Sequence, residues 1–181
     1  MLAFCVIHVR IGVWVGWQQS RVNFSNRPRT LEHWVMVFEG RYMELGKGMA
    51  VRILLVDDHP VVRQGLRTLL QERSELEVVD EASDGVEALE KVSSSRPDVV
   101  VLDVTMPRMN GIEACRIIKR ENPGLEVLFV TQHDSPQMMR EALAAGARGY
   151  VVKSNLARDL VEAVEAVSQH REFTALARTP N

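Results

Sequence analysis

From residue 50 onward the chain repeats one pattern: a short aliphatic run followed by an amphipathic stretch, five times over. Residues 51–56 (VRILLV) read as a strand. Residues 60–72 place Val62, Leu66, Leu69 and Leu70 on one helical face and Arg63, Gln64 and Arg67 outside, with Pro60 suited to the first turn. A strand near 77–81 and a helix near 85–95 follow. DVVVLDV, 98–104, is an uninterrupted apolar run of the kind buried on both faces of a sheet. Helix 110–121 is stopped by Asn122-Pro123-Gly124. Then come a strand at 126–131, a helix at 135–146 closed by Gly146, and a strand at 149–152. The last helix, 156–169, has Leu156, Leu160, Val164 and Val167 in register and Asp159, Glu162 and Glu165 outside. Strands separated by single helices predict an α/β fold: a doubly wound, five-stranded parallel sheet with right-handed crossovers and helices on both faces.

In such sheets ligands bind beyond the carboxyl ends of the strands. The first strand ends in Asp57 and Asp58, the third in Asp103 and the fourth in Thr131, while Lys153 follows the fifth. Each has a plain alternative reading. Asp57 could start a turn, Asp58 or Asp103 could cap a helix, and Lys153 could be solvated. Together, at one edge, three carboxylates need a cation, because like charges brought close and out of water destabilise one another. Carboxylate oxygens without a clustered His or Cys favour a hard ion, here Mg2+. A cation, an ammonium and a hydroxyl donor suit a phosphoryl group. No Walker loop or glycine-rich nucleotide fingerprint follows the first strand, so the donor is not a nucleotide held in this domain, and a carboxylate remains as nucleophile.

The pair at 57–58, VLDVTMPRMNG at 101–111, Thr131 and GYVVK at 149–153 closely resemble the receiver domain of bacterial two-component response regulators. VDDHPVVRQGLRTLL resembles the subgroup that usually precedes a LuxR-type helix-turn-helix. The resemblance implies a flavodoxin-like sheet of order 2-1-3-4-5. It implies Asp103 as phosphoacceptor, with Mg2+ held by Asp58, Asp103 and the Thr105 carbonyl, and by Asp57 partly through water. Lys153 and Thr131 would bind the phosphoryl group. Tyr150 would be the aromatic switch, reporting to the surface of the fourth helix, fifth strand and fifth helix. Thr105 and His133, two residues past Asp103 and Thr131, would tune dephosphorylation. Expected partners are a sensor histidine kinase and a phospho-dependent second copy, and the only reactions are the domain's own phosphorylation and dephosphorylation. An acid phosphohydrolase is the enzyme alternative, but Asp103-Val104-Thr105 lacks the second aspartate of its nucleophile motif.

Composition changes abruptly near residues 46–50. Residues 1–48 carry a net charge of +3 and all three tryptophans, and the remainder carries −5. The opening apolar run is broken by His8 and Arg10, so it is not read as a membrane span, which needs roughly 20 apolar residues. Residues 18–48 hold no sustained period of 2 or 3.6. Residues 1–48 are therefore read as an N-terminal extension, disordered or a leader preceding a true start at Met49. Residues 49–172 are the receiver domain, and 173–181 a tail that begins a linker. Two distant cysteines, Cys5 and Cys115, form no disulfide framework and fit a reducing cytoplasm. No basic recognition helix follows the domain, so no DNA-binding domain is expected within this chain. That leaves a stand-alone receiver, or a truncated DNA-binding regulator that has lost its output domain.

Overall fold

A computed structural model describes residues 34–38, 41–45 and 50–174. Elements are numbered along the chain. Strands β1 (Trp34–Phe38) and β2 (Arg41–Leu45) pair antiparallel. The remaining elements are β3 (Val51–Val56), α1 (Pro60–Gln71), β4 (Leu76–Ala82), α2 (Gly85–Ser95), β5 (Val99–Leu102), α3 (Gly111–Glu121), β6 (Glu126–Thr131), α4 (Pro136–Ala144), β7 (Gly149–Val152), α5 (Leu156–Ser168) and β8 (Phe173–Thr174).

The β1–β2 pair lies where no sustained period is legible. Trp34, Val35, Val37 and Phe38 are strand-forming types, but a pattern this short vanishes in a longer window. The rest of the segment 1–48 lies outside the described residues.

Strands β3 to β8 form one parallel sheet in the order β4-β3-β5-β6-β7-β8. Counting from β3, that is the expected 2-1-3-4-5 with a sixth strand added. The sixth, Phe173–Thr174, pairs with Gly149 and Tyr150 at residues assigned from sequence to the tail. Two residues are too few for a periodicity. Phe173 holds the strand by burying its ring against α5 and the sheet.

Successive strand residues face opposite layers. Leu54, Val56, Val100, Leu102 and Phe129 pack under α2, α3 and α4. Ile53, Leu55, Val99, Val101, Leu128 and Val130 pack under α1 and α5. Each fully buried aliphatic or aromatic side chain contributes on the order of 1.5–3 kcal/mol. These two layers fix the sheet register and so the position of every strand end. Cys115 is fully buried in the first layer, and burial pushes its thiol up to about 12, which makes it core.

Helix starts follow local chemistry. Asp84 caps α2 by accepting from the N–H groups of Val86 and Glu87, and Asn110 caps α3 by accepting from Glu113. Pro60 and Pro136 sit in the first turns of α1 and α4. The expectation that Asp159 points outward is corrected: it is fully buried and salt-bridged to Arg158 at 2.8 Å. Ala163 and Ala166, on the same side of α5, are small enough to widen the buried stripe past the leucine and valine positions.

At the opposite end of the sheet Glu126 is a buried carboxylate. Arg148 donates to it at 3.0 and 3.3 Å, His170 lies 2.7 Å away and Lys119 4.0 Å. Burial works to raise its pKa, but the hydrogen bonds from Arg148 and His170 outweigh it and hold the group below the usual carboxylate value. Replacing Glu126 with Ala leaves these bases without their acceptor. Denaturant unfolding at neutral pH is expected to read a loss of about 2–3 kcal/mol. A depressed folded-state pKa stabilises above the ordinary value of 4.5 and ceases to do so as pH falls through the folded value. The gap between wild type and Glu126→Ala should therefore close in acid; a gap independent of pH would refute the assignment.

Candidate functional site

Strands β3, β5, β6 and β7 pair through to their last residues, so their carboxyl ends share one edge. Asp57 and Asp103 each extend the ladder by one backbone bond, from Asp57 N–H to the Ala82 carbonyl at 3.1 Å and from Asp103 N–H to the Val56 carbonyl at 2.8 Å. Their backbones are thus held by the sheet while their side chains leave it. Gly111 opens α3 against this turn. A Cβ there would collide with the Asp103 carbonyl oxygen, so only glycine allows the approach.

The capping explanation for the acidic pair does not hold. The N-cap of α1 is His59, and no side chain caps the helix. Asp57 Oδ1 instead accepts the His59 N–H at 2.8 Å, which turns the chain and leaves the Asp58 carboxylate uninvolved in the helix start.

Lys153, just past β7, joins the carboxylates. Its Nζ lies 2.6 Å from Asp57 Oδ2 and 2.8 Å from Asp103 Oδ2. Asp103 Oδ1 accepts the Val104 N–H at 2.7 Å. Burial pushes the Asp103 carboxyl up; Lys153 pulls it down, Asp57 adds repulsion, and the net is a raised pKa. Burial disfavours the Lys153 ammonium, yet the hydrogen bonds to Asp103 and Asp57 hold it above its ordinary value. One ammonium therefore stands against three carboxylates.

The donor set fits a hard divalent cation. Asp57 Oδ2 and Asp58 Oδ1 are buried atoms without a hydrogen bond of good geometry, although Lys153 and His59 approach them. The structure adds one group to this set: His59 Nδ1 lies 2.7 Å from Asp58 Oδ1, and Asp57, Asp58 and His59 offer ligand atoms within 4.8 Å of one another. A cavity of about 220 Å³ opens over the edge, lined by Asp58, His59, Asp103, Thr105, Thr131, Gln132 and His133. Its size suits a small anion with its counter-ion.

The other expected residues converge here. Thr131 is fully buried and its hydroxyl accepts the His133 N–H at 3.3 Å. Thr105 Oγ1 and His133 Nε2 lie 3.0 Å apart across the cavity mouth. Tyr150 is fully buried and its hydroxyl donates to the His133 carbonyl at 2.5 Å. Burial, with Asp134 and Asp103 nearby, pushes that phenol up to about 12. His133 thus meets Thr105, Thr131 and Tyr150 through three different atoms. Sequence reasoning missed Asp84 and Arg108. Arg108, at φ 62°, bonds the buried Asp84 and straps the loop after Asp103 to the start of α2. No spacing rule links two loop residues 24 positions apart.

A family model described as the response regulator receiver domain matches residues 53–165. The DNA-binding transcriptional activator DevR/DosR of Mycobacterium tuberculosis is 47% identical over 123 residues, covering 68% of this chain and 57% of that protein. The transcriptional regulatory protein DegU of Brevibacillus brevis is 38% identical, covering 66% of this chain and 50% of that protein. The chain thus spans little more than half the length of these relatives. Among solved structures, a LuxR-family two-component response regulator from Aurantimonas sp. is 42% identical, with a TM-score of 0.66 over 68% of this chain and 89% of that one.

An ionised carboxylate with a raised folded-state pKa destabilises the fold at neutral pH; the favourable contribution exists only below the unfolded-state value and is lost as pH rises through the folded one. Without divalent cation at pH 7.5, Asp103→Asn should therefore raise Tm, by roughly 2–5 °C. Lowering the pH toward 4 should shrink the difference. A melt showing Asp103→Asn less stable than wild type at pH 7.5 contradicts this balance of charges.

Proposed function

This chain belongs to the response regulator receiver family, and we infer that within it Asp103 is the phosphoacceptor of a two-component phosphorelay. The observation that supports this most is Lys153, whose ammonium bridges Asp57 to Asp103, the latter a lining residue of the acidic cavity. The nucleophile is an Asp103 carboxylate oxygen. It attacks the phosphorus of a phosphohistidine on a sensor histidine kinase; the new O–P bond forms as the N–P bond breaks, and the imidazole leaves. Asp58, Asp103 and the Thr105 carbonyl are the residues to hold Mg2+, with Asp57 acting partly through water. When bound, the ion supplies positive charge to the phosphoryl oxygens. Lys153 binds a phosphoryl oxygen, and the Thr131 hydroxyl donates to another.

A dianionic group on Asp103 gives Thr131 and Lys153 a stronger partner than the carboxylate alone. Thr131 and Tyr150 are already connected through His133, so movement of Thr131 reaches a β7 ring that packs in the layer beneath α4 and is reported at the surface of α4, β7 and α5. A coupling of ~1–3 kcal/mol is enough to bias that surface toward a phospho-dependent homodimer. Thr105 and His133, bridging the mouth, govern water access and so the rate at which the acyl phosphate is hydrolysed. The domain's own phosphorylation and dephosphorylation are its only reactions. Among the described residues no helix is long and apolar enough to cross a membrane, and a cytoplasmic site of action follows from the kinase partnership.

The domain runs from 49 through the added strand β8, which ends at Thr174, with 1–48 an extension. A second reading is favoured by the relative that is a DNA-binding transcriptional activator and of which this chain spans 57%. In that reading the receiver governs a helix-turn-helix output encoded beyond Asn181, and coding capacity downstream decides between the two.

Intact mass after incubation with Mg2+ and acetyl phosphate tests the reading. One added phosphoryl group is expected, abolished by chelator and by Asp103→Asn. A folded wild-type chain that gains no mass, or an Asp103→Asn chain that gains it equally, overturns the assignment.

A further inference from the structure

We propose that Arg63 is a positioning residue for the Asp57–Asp58 pair, setting Mg2+ affinity without touching the ion; this rests on the metal site described above. Helical periodicity placed Arg63 and Arg67 on the outer face of α1, but both side chains turn inward over β4. Arg63 is only 17% exposed. Its Nη1 donates to the Asp57 carbonyl oxygen at 2.6 Å and its Nε to Glu81 Oε2 at 3.0 Å. Arg67 donates to the other Glu81 oxygen at 2.7 Å. Burial works to raise the Glu81 carboxyl, but the hydrogen bonds and charges of the two arginines hold it below the ordinary value.

The bonded carbonyl belongs to the peptide that links the two aspartates. A peptide unit is planar, so anchoring its oxygen sets the orientation of the plane that carries the Cα atoms of both Asp57 and Asp58. The Asp57 N–H is already tied to Ala82. Arg63 therefore completes a grip on both sides of Asp57, one from β4 and one from α1. The guanidinium also adds positive charge near the site, which by itself would repel a cation. Glu81 at 3.0 Å largely neutralises that field. Geometry is thus the larger effect, and loss of Arg63 weakens metal binding.

Arg67 provides the control, because it shares Glu81 but does not reach Asp57. Titration calorimetry of MgCl2 into the full chain, beside thermal melts, tests the idea with Arg63→Ala, Arg63→Lys and Arg67→Ala. Arg63→Ala should weaken Mg2+ binding about five- to tenfold. Arg63→Lys keeps the charge but loses the planar fork, and should remain at least threefold weaker than wild type. Arg67→Ala should lower Tm yet bind Mg2+ within twofold of wild type. If Arg63→Ala fails to fold, Arg63→Lys alone decides. Wild-type affinity in either Arg63 variant, or equal weakening in Arg67→Ala, overturns the role of Arg63 while leaving the metal site intact. A wild-type chain that binds no Mg2+ overturns the metal site and this inference together.

Discussion

Three carboxylates stand at the end of a sheet whose central strands are largely apolar, and one partly buried ammonium, Lys153, holds two of them together at 2.6 and 2.8 Å. That imbalance is the constraint around which the rest is built. The strands must stay in register to bring Asp57, Asp103 and Lys153 to the same level, and the two apolar layers enforce this register. Gly111 must lack a side chain so that α3 can start against the Asp103 carbonyl. α1 begins without a side-chain cap, which leaves Asp58 free of the helix.

The edge is connected outward by polar contacts rather than by packing alone. His133 joins three groups: its N–H to Thr131, its ring to Thr105 and its carbonyl to Tyr150. On the other side, Arg63 joins the Asp57 carbonyl to Glu81 and hence to Arg67. In the proposed reading these arms have different duties. The His133 arm conveys the state of Asp103 toward α4 and β7, and the Arg63 arm keeps the acidic pair in place whatever that state is. The chemistry and its report thus leave the site through different elements.

Much of this was legible in the chain. Every strand and helix of the parallel sheet except β8 lies within a few residues of its expected place, because strands buried on both faces and helices with one apolar stripe carry strong periodic signals. Asp57, Asp58, Asp103, Thr131 and Lys153 come to one edge for the same reason: strand ends are where aliphatic runs stop. The misses have a common cause. β8 is two residues long, and β1 and β2 stand in a segment without the strand–helix alternation that marks the other strands. Asp159, Arg63 and Arg67 were assigned to solvent because a helical wheel knows only its own helix. It does not see that alanines widen a buried stripe, or that Glu81 waits on a neighbouring strand.

The sequence by itself determined the α/β alternation, the parallel sheet, and the identity of the groups at its carboxyl edge. These depend on properties each segment carries alone: apolar period, breakers, and the residue at which a strand ends. Only the tertiary structure decided which charge meets which. It paired Lys153 with both Asp57 and Asp103, hung Tyr150 on the carbonyl of His133 and turned Arg63 onto the Asp57 peptide. Such contacts join residues from different elements, and their strength depends on a few tenths of an ångström and on how much water is excluded. Both are fixed only when the two apolar layers close on the sheet.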